Sequence, residues 1–185
     1  QGGTFGYLWV DLRRWLRDPM FSAGFVTRNE DLIDSKSDSS TVLWKVAWAI
    51  ERLPFWMKPN YERHLGQHTF VNHDNGALMR GYSAGQDVAA GGRCTVFTVD
   101  EAGARDFVAG GKDEAVQESI QDVSNCVRLV SARYVDQGVF HNACENPDTA
   151  KNGVHLVLDW KDHPQQSKHS YIVREGVPVA LKPED

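Results

Sequence analysis

With 185 residues, 20 Lys and Arg against 25 Asp and Glu, 41% apolar and 24% charged residues, the chain has the composition of one globular domain, not of a disordered or collagen-like protein. Its net charge of −5 excludes a general electrostatic attraction to nucleic acid, so any such contact must be local. No apolar run reaches the roughly 18 residues of a membrane span, and the first residues lack the regions of a signal peptide, so the reading is a soluble, cytoplasmic protein.

From Thr4 to Arg17, the residues Phe5, Leu8, Trp9, Leu12, Trp15 and Leu16 recur at three- and four-residue spacing, which predicts a helix ended by Asp18 and Pro19. Phe21 to Arg28 reads as a buried strand with a polar carboxyl end. Asp34 to Ser40 supplies N-caps for a helix from about Thr41 to Leu53, with Trp44 and Trp48 expected in the core. Asp74, Asn75 and Gly76 form a turn signal between two short strands, Thr69 to Asn72 and Ala77 to Gly81. A glycine-rich loop from Ser83 to Arg93 leads into Cys94 to Val99, apolar at nearly every position, as expected of a strand buried on both faces of a parallel sheet.

Further on, Lys112 to Val123 has helical periodicity, and Cys126 to Val130 reads as another buried strand, ending in Ser131, Ala132 and Arg133. A polar loop through Asn152 precedes a last predicted strand, Gly153 to Trp160. The tail from Val177 to Asp185 reads as a linker after a domain spanning 1–176. Strands alternating with helices predict a three-layer α/β sandwich around a mainly parallel sheet. Cys94, Cys126 and Cys144 form no C-x-x-C pair, which predicts free buried thiols in a reducing compartment.

Open α/β sheets place ligands at the carboxyl ends of parallel strands. Arg28 to Glu30, Asp100 with Glu101, and Ser131 with Ala132 stand at such ends. The sharpest is Thr95 to Glu101, because an apolar strand followed by Asp-Glu can hold Mg²⁺ on the first carboxylate, through a water, and place the second as general base. Acids also end strands for purely structural reasons, by capping the next helix. A small hydroxyl residue such as Ser131, one strand-helix-strand step on, can sense a terminal phosphate.

Other constellations are weaker. His64 and His68 are four apart and could share a helix face as metal ligands, with His73 nearby, but no H-E-x-x-H occurs. His141 and Cys144 lack a second ligand pair, and His155 reads as a strand histidine. Gly81-Tyr82-Ser83-Ala84-Gly85 imitates a nucleophile elbow without a strand-to-helix context. Arg13, Arg14 and Arg17 form a basic helix face, more economically a solvated one.

The blocks FVTRNEDLID (residues 25–34) with the following tryptophan-bearing helix and ERLPFWM, GYSAGQDVAAGGRCTVFTVDEAG (81–103), LVSARY (129–134) and LDWKDHP (158–164) resemble, in order, the ATPase domain of the large terminase subunit of tailed bacteriophages. The resemblance covers roughly Phe5 to Pro164. It implies a P-loop NTPase-like fold of the ASCE type, ATP and Mg²⁺ as ligands, Asp100 as the Walker B aspartate, Glu101 as the catalytic carboxylate and Ser131-Ala132 as the coupling motif. Arg28 stands at the TRNE strand end, and Gly91, Gly92 and Arg93 form a loop that would serve either nucleotide or DNA.

For the whole protein the resemblance implies a motor that moves double-stranded DNA into a capsid, with a terminase small subunit and a portal protein as partners, a homo-oligomeric ring, and the cytoplasm of an infected bacterium as its place. One departure stands out: no G-x-x-x-x-G-K-[ST] occurs. Because the chain opens at Gln1 inside a helical pattern, it is expected to begin just after the phosphate loop, without that loop and its strand. Two other readings are a helicase-like nucleic-acid-dependent ATPase, although Asp100-Glu101-Ala102-Gly103 is neither DEAD nor DEAH, and a non-catalytic binding domain.

Overall fold

The computed structural model describes residues 2–84, 88, 92–132, 135–146, 153, 154, 156, 157, 171–174 and 177–180. Helix α1 (Gly2–Arg17) leads to β1 (Ser22–Thr27), α2 (Val42–Glu51), β2 (Tyr61–His64), β3 (Thr69–Asn72), β4 (Leu78–Ser83), β5 (Val96–Asp100), α3 (Arg105–Val108), α4 (Lys112–Gln121), β6 (Val127–Val130) and α5 (Val139–Glu145). These elements belong to one compact unit, residues 1–145, and residues 146–185 form a second.

In the first unit six strands form one sheet in the order β2-β3-β4-β1-β5-β6. Strands β4, β1, β5 and β6 run parallel, and β2 and β3 extend the β4 edge antiparallel. Alternation along the central strands divides the core into two layers. Ala23, Phe25 and Val96 face Leu8, Leu12 and Trp15 of α1 and Leu43, Val46 and Ile50 of α2. Val26, Phe97 and Val99 face Phe107, Val116 and Ile120 of α3 and α4. Helices thus cover both faces of a mainly parallel sheet, the three-layer α/β architecture expected of a P-loop NTPase-like chain.

Local chemistry explains the joins. The carbonyl of Trp15, in the last turn of α1, accepts hydrogen bonds from the side-chain amides of Asn72 and Asn75, both at 3.0 Å, and the Trp15 indole donates to the Ala77 carbonyl at 3.1 Å. The β3–β4 turn therefore satisfies a carbonyl that the helix end leaves open. At Gly81 a Cβ would stand 2.0 Å from Ile33 Cγ2, and at Gly24 it would stand 2.2 Å from Phe97 Cε1, so both strands carry glycine where a core side chain crosses the backbone. Asp11, fully buried on α1, receives a two-point hydrogen bond from Arg128 on β6, Nη1 to Oδ2 at 2.9 Å and Nη2 to Oδ1 at 2.6 Å. This pair ties the first helix to the strand at the sheet's edge.

Several expectations change. Trp44 and Trp48 are only half-buried; Trp48 meets Phe5 edge-on and carries the Arg52 guanidinium over its ring, because the wide apolar face of α2 exceeds what α1 and the sheet can cover. Strand β6 is half-exposed rather than buried, being the last strand of the sheet. Of the three thiols only Cys94 is buried, and all are free. Strand β2, helix α3 and helix α5 were not predicted.

In the second unit, β7 (Tyr171–Arg174) and β8 (Val177–Ala180) pair antiparallel, so the segment read as a linker begins with a paired strand. Of the predicted strand 153–160, residues 153, 154, 156 and 157 are not in a strand, and Val154, Leu156 and Val157 are exposed; 155 and 158–160 lie outside the described residues. The LDWKDHP block and most of the glycine-rich loop also lie outside them. Among the described residues no helix is long and apolar enough to cross a membrane.

Candidate active site at the carboxyl edge of the parallel sheet

Parallel register brings three predicted strand ends to one edge. Val26 of β1 lies beside Val99 of β5, and Asp100 lies beside Val130 of β6, so Arg28, Asp100-Glu101 and Ser131-Ala132 leave the sheet together. Asp100 projects to the α1 face, where the Thr4 hydroxyl on the first turn of α1 donates to its carboxylate at 3.3–3.4 Å. Tyr7, one helical turn on, stacks on Phe25 with ring centroids 6.1 Å apart. Burial, then the neighbouring Asp100 charge, holds the Tyr7 phenol well above its ordinary pKa, so it stays protonated.

Burial also raises the pKa of Asp100, against the opposing charge of Lys45 and with the reinforcing charge of Glu101. Lys45, on the first turns of α2, is half-buried, and its amine donates to the carbonyls of Ser40 at 2.6 Å and Thr41 at 3.3 Å. Burial lowers its pKa, opposed by the charges of Asp100, Asp38 and Glu101.

Glu101 has φ of +55°, in the left-handed region that a residue with a Cβ adopts at a cost of about 1–3 kcal/mol. The turn is held by Ala102 N–H donating to Val130 O at 3.1 Å and Ala104 N–H donating to Glu101 O at 2.9 Å. Glu101 therefore leaves the strand in a different direction from Asp100. Its carboxylate pairs with Arg28 Nε at 3.1 Å, while Arg28 Nη1 pairs with Asp106 at 3.1 Å. Gly103 N–H donates to Ser131 Oγ at 3.0 Å. A Cβ on Gly103 would stand 3.1 Å from that oxygen and 3.2 Å from Ala132 O, so glycine lets Ser131-Ala132 rest directly on the Asp-Glu turn.

A cavity of about 40 Å³ opens here, lined by Thr27, Arg28, Leu32, Ser40, Val42, Asp100 and Glu101. It has room for a few water-sized groups, so an ion and a phosphate oxygen fit, whereas a whole nucleotide must lie mostly outside it. The donors beside it, the Asp100 carboxylate and the Thr4 hydroxyl, are hard oxygen atoms of the type that Mg²⁺ prefers.

The structure thus brings Arg28, Asp100, Glu101, Ser131 and Ala132 together. Arg93 does not join them. It is exposed and precedes the amino end of β5, and the strand runs about 13 Å from Val96 to Asp100. His64 and His68 share no helix: His64 is on β2 beside Glu62, and His68 is a left-handed residue beside Glu30. Among the described residues no group of three or more His, Cys, Asp or Glu could hold a metal. Sequence reasoning missed Thr4, Tyr7 and Lys45; only Thr4 carried a signal, two glycines followed by a hydroxyl residue at the start of a helix.

No family model matches the chain, and no curated protein does. Among solved structures it is similar to a point mutant of the ATPase domain of the large terminase of Thermus phage P74-26, with a TM-score of 0.51 and 16% identity over 72% of this chain and 56% of that one. It is also similar to the Phi-28 gp11 DNA packaging motor, with a TM-score of 0.41 and 11% identity over 100% of this chain and 55% of that one. The chain therefore spans little more than half the length of these structures. The likeness to the terminase ATPase domain shows the fold alone, a mainly parallel α/β sheet of the P-loop NTPase-like kind covered by helices on both faces.

Proposed function

We propose that this domain is the ATP-hydrolysing part of a viral DNA-packaging motor. The observation that supports this best is the Thr4 hydroxyl resting on Asp100, with Glu101 beside it, at the carboxyl edge of a terminase-like sheet. Thr4 and Asp100 would hold Mg²⁺, which when bound supplies charge neutralisation to the phosphates. Glu101, turned away from Asp100 by its left-handed backbone and held by Arg28 through one oxygen, takes a proton from the attacking water on the other rather than serving as a metal ligand. Asp100 must be ionised to bind the cation, and Lys45 and the Thr4 hydroxyl favour that state against burial.

Ser131, bonded to Gly103 two residues past Glu101, would pass a change in that turn to β6, and Arg128 on β6 would pass it to α1 through Asp11; the hydrogen bonds at each step support this. We extend the reading to double-stranded DNA as the moved substrate, with Arg93 in a DNA-facing loop, to small-subunit and portal partners, and to a ring of subunits in the host cytoplasm.

Phosphate release by the intact protein, with and without Mg²⁺ and with double- or single-stranded DNA, tests this. The expected result is Mg²⁺-dependent release stimulated by double strands. Stimulation by single strands alone would favour a helicase-like ATPase, and no Mg²⁺-dependent release would favour a non-catalytic domain.

A further inference from the structure

We propose that Lys45, on α2, is a substrate-binding residue whose amine contacts the terminal phosphate of a nucleoside triphosphate and lets the site tell a triphosphate from a diphosphate. The inference rests on the ATPase reading above and assigns within it a residue from outside the phosphate loop. In the pattern G-x-x-x-x-G-K-[ST], the lysine directly precedes the metal-binding hydroxyl residue. If Thr4 is that hydroxyl residue, as its contact with Asp100 supports, the lysine position is Gly3, which has no side chain to offer. Another element can then bring a charge to the terminal phosphate.

Lys45 is suited to supply it. It lines, with Phe5, Leu8 and Leu12 of α1 and Val46 and Ala49 of α2, a small apolar cleft between the two helices, and its amine is held on the carbonyls of Ser40 and Thr41. The amine rests on the carbonyl of Ser40, and Ser40 itself lines the cavity with Asp100 and Glu101. Its charge acts on both carboxylates. The water that Glu101 activates must lie in line with the terminal phosphate, so a cation held on the carbonyl of Ser40, which lines the same cavity as Glu101 and Asp100, serves that phosphate rather than the base or sugar.

The present partners of Lys45 are neutral carbonyls, and a hydrogen bond from an ammonium to a phosphate oxygen is stronger than one to a carbonyl, so the amine would exchange one for the other. Arg28 is a poorer choice, since its guanidinium is engaged by Glu101 and Asp106.

Binding of ATPγS and of ADP, each with Mg²⁺, measured by calorimetry on the intact protein and its Lys45→Met and Lys45→Arg variants, decides this. Met keeps the packing of the stem and removes the charge. The expected result is that K45M weakens ATPγS binding roughly 10- to 100-fold and changes ADP binding less than about twofold, with K45R recovering most of the loss. Equal effects on both nucleotides, or none on either, overturn the proposal, since a lysine that only ties down the Ser40–Thr41 backbone would not discriminate. A thermal midpoint for K45M equal to wild type shows that the comparison is between folded proteins; were it lower, K45R restoring the midpoint but not the discrimination would equally overturn the assignment. If the unaltered protein binds neither nucleotide, the ATPase reading itself fails, a result distinct from loss of discrimination by the variant.

Discussion

Glu101→Gln is expected to lower ATP turnover by roughly 10²- to 10⁴-fold while leaving Mg²⁺-ATPγS affinity within about twofold of wild type. The amide keeps the size of the side chain but cannot accept the proton of the attacking water, and Asp100 and Thr4, which would hold the cation, are untouched. The substitution also removes the Arg28 ion pair, but both partners are about a third or more exposed, so the stability change should stay within roughly 1 kcal/mol. Single-turnover phosphate release, read beside equilibrium binding, separates the two effects. Unchanged turnover would remove Glu101 from the mechanism, and loss of binding together with turnover would make it a ligand rather than a base.

The largest stability effect is expected at the pair that joins α1 to β6. Arg128→Met leaves the Asp11 carboxylate fully buried without its cation, which should cost about 3–5 kcal/mol at neutral pH. Burial already raises the Asp11 pKa above 3.8, with the Arg128 hydrogen bonds and charge opposing the rise. Without Arg128 the folded-state pKa climbs further.

A carboxyl whose folded pKa lies above its unfolded one binds more protons when folded, so stability falls as pH rises through that window. The loss in R128M should therefore be largest at neutral pH and shrink as pH falls from the raised folded value toward 3.8, below which both states hold the proton. Urea unfolding of wild type and R128M across that range is the measurement. Asp11→Asn combined with Arg128→Met should recover part of the loss, because the buried charge is gone. A loss that does not vary with pH would mean that Arg128 acts through packing alone.

What could be read along the chain were features that one element expresses by itself. The three- and four-residue spacing from Phe5 to Leu16 is the buried face of α1, and the unbroken apolar run before Asp100 is a strand covered on both faces. The Asp-Glu step could be read because it ends that run. Strand β2 could not, since Tyr61 to His64 has no alternation and is an edge strand held by backbone pairing to β3. The strand expected at 153–160 shows the converse: Val154, Leu156 and Val157 look buried by type and are exposed.

Thr4 and Lys45 were hidden for another reason. Each becomes part of the site only because α1 and α2 pack on the same face of the sheet as Asp100, a tertiary fact that has no local signature at Lys45 and only the two preceding glycines at Thr4. The close contact of Ser131 with Gly103 likewise joins residues 28 apart in sequence.

The central claim is that Thr4 and Asp100 form the cation site of a nucleotide-hydrolysing centre. Crystals of the protein grown with Mn²⁺ and ATPγS, Mn²⁺ standing for Mg²⁺, test it through anomalous scattering. The account predicts a single strong peak within coordination distance, about 2.1–2.3 Å, of the Thr4 hydroxyl or one water away from the Asp100 carboxylate, with the terminal phosphate on its far side toward Glu101. A manganese peak away from both residues, or nucleotide bound elsewhere on the sheet, would contradict it.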